Sequence, residues 1–279
     1  MLKRKFHGRL KRFSSSKRAL AIPITYLLLF VSLLAIISVT YSFAIVEISA
    51  RGALLRASIA KQNMQFLDDN VRSVAWSFGS SEIVYMDDCG SVFHTEASAK
   101  NLVLNFTDEQ SLNDVVFNSS IGKAFYELEP SESVYEAPFI RGDNRAIINQ
   151  SAFTMTQLYV ATGDNAKEMV LCYRPSATVA VIGASNGKPL NLIRVHIINL
   201  NSSQNLMLRE RFSLKVASVD VTASSSQYEF DQPISSLALK ATFDGTLSTV
   251  WLPISSIAEG AVVNLEILIS NISLERVSV

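Results

Sequence analysis

Between Arg18 and Glu47 the chain runs for 28 residues without a formal charge: ALAIPITYLLLFVSLLAIISVTYSFAIV. A helix rises about 1.5 Å per residue and the hydrocarbon core of a bilayer is about 30 Å thick, so roughly 20 such residues suffice to cross it. Pro23 falls in the first turn of the run, where a missing N–H costs little, and Tyr26 and Tyr41 lie towards its two ends, as interfacial aromatic residues do. A cleaved secretory signal has an apolar core of only about 7–15 residues. The stretch is longer than that, although Ser42-Phe43-Ala44 has the form of a weak cleavage site. A transmembrane helix over residues 20–46 is the expectation.

Charge sets its direction. Residues 1–18 hold eight Lys/Arg and no acid, and the first acid of the chain is Glu47. Positive residues beside a span are retained in the cytoplasm. Residues 1–19 therefore read as a basic cytoplasmic leader and residues 47–279 as extracytoplasmic. The body then carries 17 basic against 25 acidic residues, a net charge of −8. That balance argues against a nucleic-acid partner, because a phosphate-binding surface needs excess cations. At 48 % hydrophobic and 18 % charged residues, the chain is also too apolar to be disordered.

An external body is compatible with five glycosylation sequons, at Asn105, Asn118, Asn149, Asn201 and Asn271. The only two cysteines, Cys89 and Cys172, both fall in it. A disulfide between them would close a long loop and stabilise the fold, while two buried thiols fit the spacing equally well.

Beyond the membrane segment, Ile48, Leu55, Ile59, Leu67, Val71, Val74 and Phe78 recur at helical spacing, opposed by Arg51, Arg56, Lys61, Asp69 and Arg72. Residues 47–80 are expected as an amphipathic helical stalk, with Gly52 as a candidate bend. After Gly79-Ser80-Ser81 the period changes, and residues 81–279 read as β-rich. Strands are expected at 82–87, 91–95, 101–106, 134–140, 145–149, 152–161, 168–174, 178–183, 191–199, 206–218, 237–243, 246–252 and 262–276, with 107–133 as loop. Asn186-Gly187 and Asp244-Gly245 are hairpin turns by composition. The fold class is therefore α+β: one N-terminal transmembrane helix, its amphipathic extension, and a mostly antiparallel, sandwich-like body.

No constellation points to catalysis. The histidines number three, His7, His94 and His196, and only Cys89 and His94 form a close metal-ligand pair, too few for a zinc site by motif. No nucleophile elbow occurs. Gly183 to Pro189 has three residues between its glycines and Pro after the Lys, which makes it a turn and not a phosphate loop. Arg141-Gly142-Asp143 matches an adhesion tripeptide, but a turn needs Gly and Asp for purely local reasons, and it is read as a turn. The acidic pairs Asp68-Asp69 and Asp87-Asp88 read as solvated. No enzyme activity, cofactor or metal is expected.

The junction Lys17-Arg18-Ala19-Leu20 resembles the class III signal of type IV pilins in its archaeal form: a short basic leader, two positive residues, a small residue and an uninterrupted apolar helix. The resemblance spans residues 17–60. It implies that Lys17 and Arg18 are recognised by a prepilin peptidase, that Ala19 ends the leader and that Leu20 begins the mature chain. The acid found early in the mature helix of bacterial pilins is absent; Ile24 is the fifth residue of the mature chain. The resemblance implies a minor or accessory pilin-like surface protein with the bilayer as first partner. Self-assembly, or assembly with other pilin-like subunits, would follow through residues 20–78. The alternative is a signal-anchored module that binds an external ligand or partner without forming filaments.

Overall fold

The computed structural model describes residues 17–108, 110–128, 139–149, 154–163 and 166–277; of residues 17–22 it describes the backbone only. Among the described residues a single helix, α1 (Lys17–Val74), runs unbroken through Pro23 and Gly52, and 13 strands follow it. These are β1 (Ser81–Met86), β2 (Val92–Thr107), β3 (Asn113–Leu128), β4 (Phe139–Arg141), β5 (Thr156–Thr162), β6 (Lys167–Tyr173) and β7 (Ser176–Ser185). The remainder are β8 (Lys188–Asn199), β9 (Met207–Leu208), β10 (Phe212–Phe230), β11 (Ser236–Phe243), β12 (Thr246–Pro253) and β13 (Ala261–Val277). Two units separate, residues 1–52 and 53–279.

The second unit contains two sheets. One has five strands in the order β1-β10-β13-β8-β7; the other has eight, in the order β12-β11-β2-β3-β6-β5-β4 with β9 beside β2. Among the described strands every ladder is antiparallel except one: β13 lies parallel to β8 from Val262 opposite Leu190 to Asn271 opposite Asn199. More than sixty residues separate these strands in the chain, which meets the need of a parallel pair for a long connection. Both predicted hairpins are present. Asn186-Gly187 and Asp244-Gly245 have positive φ at both residues, the geometry that matches strand twist across a two-residue loop.

Several strand expectations need correction. The stretch 107–133, expected as loop, contains the whole of β3. Its interior Asn118-Ser119-Ser120 hides the strand pattern, while pairing to β2 and β6 on its two sides supplies what local propensity lacks. Gly122 is required there, since a Cβ at that position would fall 2.5 Å from the Leu200 carbonyl carbon. The two strands expected at 91–95 and 101–106 are one strand, β2, with a register irregularity between Glu96 and Lys100. β10 extends to Phe230, well past the expected end at 218, because β13 pairs with it throughout. Residues 145–149 form no strand and make one bridge, Ile148 to Ser176. The expected strand at 134–140 lies outside the described residues apart from the start of β4, and residues 152–153 of the next one lie outside them too.

The helical stripe is also different from the expected one. Leu67, Val71 and Val74 are buried, but Ile48, Leu55 and Phe78 are exposed. The buried set is Ala57, Ala60, Asn63, Met64, Leu67, Asp68, Val71, Val74 and Ala75. These residues step by threes and fours, and small alanines and polar side chains complete a stripe that hydrophobicity alone mislocates.

Two cores result. In the first, the stripe packs with Val84 and Met86 of β1, Leu214 of β10, Ile272 and Leu274 of β13, and Phe93, Tyr126 and Leu171 of the other sheet. In the second, the sheets meet directly, with Leu102, Leu104 and Leu239 against Ile193, Val195, Val263 and Leu265. Buried Asn199 ties them together. It donates to the Ser120 carbonyl at 2.9 Å and accepts from the Gly122 N–H at 3.0 Å.

Candidate functional site

The first candidate surface is the apolar part of α1. Every residue from Pro23 to Ala50 is exposed, so the large side chains from Ile24 to Val46 have no cover among the described residues. Three hydroxyls in this stretch bond back to their own helix. Ser32 donates to the Leu29 carbonyl, Thr40 to Ile36 and Ser42 to Ser38, each at 2.8–2.9 Å. Such back-bonding removes the cost of placing hydroxyls in a medium without water. Glu47 and Arg51, the first charges after the run, pair with each other at 2.8 Å one turn apart. The helix is long and apolar enough to cross a membrane.

The second candidate is polar and lies where the buried stripe of α1 meets β4, β5 and β6. Asp68 is fully buried and accepts three bonds: Arg141 Nη1 at 2.6 Å, the Thr156 hydroxyl at 2.6 Å and the Tyr173 hydroxyl at 3.0 Å. Arg141 Nη1 also reaches the half-exposed Asp69 at 2.6 Å. Burial, and then the neighbouring Asp68 carboxylate, push the Tyr173 phenol far above its ordinary pKa, so it stays a donor. A few ångströms on, Asp143 receives the Arg145 guanidinium at 2.5 Å and that of Arg174. Arg174 is fully buried; its other donors go to the carbonyls of Thr154, Asp143 and Arg145. Arg145, against a smaller opposing effect of burial and with help from Arg174, holds the Asp143 carboxyl well below the usual carboxylate range.

This cluster corrects one expectation. Asp68 is a buried anchor and is not solvated; the missed signal is its place on one helical face with Met64, Leu67 and Val71. Arg141-Gly142-Asp143 turns both of its charged ends inward, onto the helix acids and onto Arg174. Arg174 was missed because it follows an apolar strand and lacks any motif.

The remaining predicted residues are dispersed. Lys17, Arg18, Ala19 and Leu20 form the first helical turn of α1, and residues 1–16 lie outside the described part. Cys89 and Cys172 are free, buried thiols belonging to different cores. Burial pushes the Cys172 thiol up to about 11, and its Sγ donates to Gln157 Oε1 at 3.6 Å. Asn118, Asn149 and Asn201 are exposed, whereas Asn105 and Asn271 are half-buried. His94 stacks on Phe125 and lies 3.3 Å from Glu127; His196 meets the edge of Trp76. Among the described residues, no three His, Cys, Asp or Glu side chains gather as metal ligands. Asp87 gives its backbone to Asn63, and Asp88 caps Gly90.

Compared with protein families, curated proteins and solved structures, the chain matches none.

Replacing Asp68 by Asn removes the charge opposite Arg141 from a dry site and is expected to cost about 3–5 kcal/mol of unfolding free energy. Asp69→Asn, at a half-exposed carboxylate, is expected to cost under about 1 kcal/mol. Denaturant titration of the two variants side by side checks this, and equal losses would refute the role given to Asp68.

Asp143 titrates lower in the folded state than in the unfolded chain, so its stabilisation is complete above the unfolded carboxylate pKa, about 3.9. It is lost as pH falls below that value. Thermal melts between neutral pH and pH ~3 are expected to show an acid limb that is shallower in Asp143→Asn.

Proposed function

We propose that the protein is a membrane-anchored, pilin-like surface protein that acts by assembly or display of its β-rich head. Catalysis has no part in this reading. Its leader is cytoplasmic and its body extracytoplasmic, and the two sheets make a sandwich-like head into which the end of α1 is built. One observation carries this reading. A single unbroken helix holds, at residues 23–46, an apolar surface with no cover of its own, and at residues 57–75 a stripe buried in a β body.

The division of labour suits a subunit that waits in the bilayer and later exchanges lipid for neighbouring helices. Lipid and apolar side chains are equivalent solvents for Leu27, Leu33 or Ile37, so transfer between them costs little. The head keeps its fold during the exchange, because its cores draw on α1 only from Ala57 onwards. Within residues 20–78, the part ahead of Ala57 is then the surface for copies of the chain or related subunits, since the stripe from Ala57 onwards is taken up by the head. Exposed Asn118, Asn149 and Asn201 are the sequons best able to carry glycans.

The test is the N-terminal residue and intact mass of the protein purified from its native membrane. A chain beginning at Leu20 is expected, with Lys17→Ala/Arg18→Ala accumulating uncut. A chain beginning at Met1 would overturn the pilin reading and favour a permanent signal-anchor.

Leu33→Asp is expected to abolish filament formation while the head still melts as in the parent protein. Filaments that persist with this charge would exclude the helix as their core.

A further inference from the structure

An open cavity of about 420 Å3 lies where the β2–β3 turn meets the segment joining β10 to β11, at the end of the strands occupied by the second core. Its side chains divide by chemistry. Gln110, Gln232 and Ser235 are exposed groups able both to donate and to accept, and Ser111, whose hydroxyl donates to Asp108 Oδ2 at 3.1 Å, keeps its oxygen as an acceptor. Three carboxylates join them, but none is free to dominate. Asp108 Oδ1 already accepts the N–H groups of Gln110, Ser111 and Leu112 at 2.8–2.9 Å. Glu229 and Asp231 share the Lys188 ammonium, at 2.9 and 2.8 Å.

The apolar residues divide as well. Phe230 and Ile234 pack on the second core. Trp251 does not: strand alternation sends Val250 and Leu252 inward and leaves the indole 45 % exposed at the cavity. The site thus offers one uncovered aromatic plate ringed by bifunctional polar groups, with acids outnumbering the single cation.

We propose that this cavity binds a neutral carbohydrate. An anion would face three carboxylates against one lysine. A hydrophobic ligand would find only the indole and would desolvate the amides and hydroxyls without replacing their bonds. A simple cation would have to compete with Lys188, whose ammonium already contacts both Glu229 and Asp231, and with the loop N–H groups that occupy Asp108 Oδ1. A sugar ring satisfies both halves: its C–H face covers the indole, and its hydroxyls exchange bonds with Gln110, Gln232 and the serines. The inference goes beyond the pilin-like reading by giving the head a ligand, and it is independent of whether the chain is cut at Ala19.

The chain has two tryptophans, so Trp76→Phe leaves Trp251 as the sole indole reporter. The experiment titrates this full-length variant, in detergent, with soluble neutral oligosaccharides of glucose, mannose, galactose and N-acetylglucosamine. Calcium chloride and inorganic phosphate run as separate arms. The expected result is a saturable shift of Trp251 emission with at least one oligosaccharide. By calorimetry on the parent background, Trp251→Ala should weaken binding about tenfold or more at an unchanged melting temperature. Gln110→Ala and Gln232→Ala, on exposed loops, should each weaken it and carry the test if Trp251→Ala fails to fold. The proposal is overturned if no neutral oligosaccharide shifts the emission at millimolar concentration, if binding survives all three substitutions, or if only calcium or phosphate binds. Each of these outcomes leaves the mass of the processed chain, and so the pilin reading, untouched.

Discussion

Burial of the stripe from Ala57 to Ala75 is the constraint on which the β body depends. Val84, Met86, Leu214 and Leu274 on one sheet, and Phe93, Tyr126 and Leu171 on the other, share a single core with this stretch of helix. Without it, those side chains would have to close on one another across the width of a helix, or face water at a cost of roughly 1.5–3 kcal/mol for each large one. The second core needs no such filler, because there the sheets meet directly. The same helix end is tied down by polar bonds. The Ala75 carbonyl receives the hydroxyls of Ser218 and Ser270, and that of Val74 receives the Ser80 hydroxyl at 3.1 Å. These bonds satisfy carbonyls that any helix terminus leaves orphaned.

Packing alone would let such a stripe slide along its groove. Asp68 and Asn63 remove that freedom. Asp68 meets three donors from β4, β5 and β6, while Asn63 pairs with both backbone groups of Asp87 and with the Tyr126 hydroxyl at 3.1 Å. A shift of one turn would leave a carboxylate and an amide buried and unpaired, which costs more than the apolar contacts could recover. Register is thus held by a few polar groups inside an otherwise apolar contact. That is a fitting arrangement for a helix whose other end is proposed to exchange lipid for neighbouring helices.

The proposed role follows from the contrast between the two parts of α1. Residues 23–46 offer mainly dispersive, interchangeable contacts, and the hydroxyls of Ser32, Thr40 and Ser42 are already satisfied by their own helix. Residues 57–75 make specific contacts that no solvent replaces. In that proposal anchoring and assembly belong to the first part and fold integrity to the second, and the proposed carbohydrate site lies among the loops beyond the second core.

What the sequence alone determined are the properties that arise within a few residues: the uncharged run from Ala19 to Val46, the change from helical to strand period near Gly79, and the hairpins at Asn186-Gly187 and Asp244-Gly245. Each rests on local physics, namely the missing charges, side-chain spacing and positive φ. Tertiary structure decided the rest. β3 is a strand because β2 and β6 pair with it, against the preference of Asn118-Ser119-Ser120. β13 lies parallel to β8 although its own sequence does not distinguish that partner direction. Asp68 is buried because Arg141, Thr156 and Tyr173 converge on it from 73 to 105 residues away. The same acid beside Asp69 in sequence reads as a solvated pair, and only the three-dimensional arrival of those donors makes its burial affordable. Long-range pairing of this kind leaves no local signature, because its free energy depends on partners brought together only by the fold.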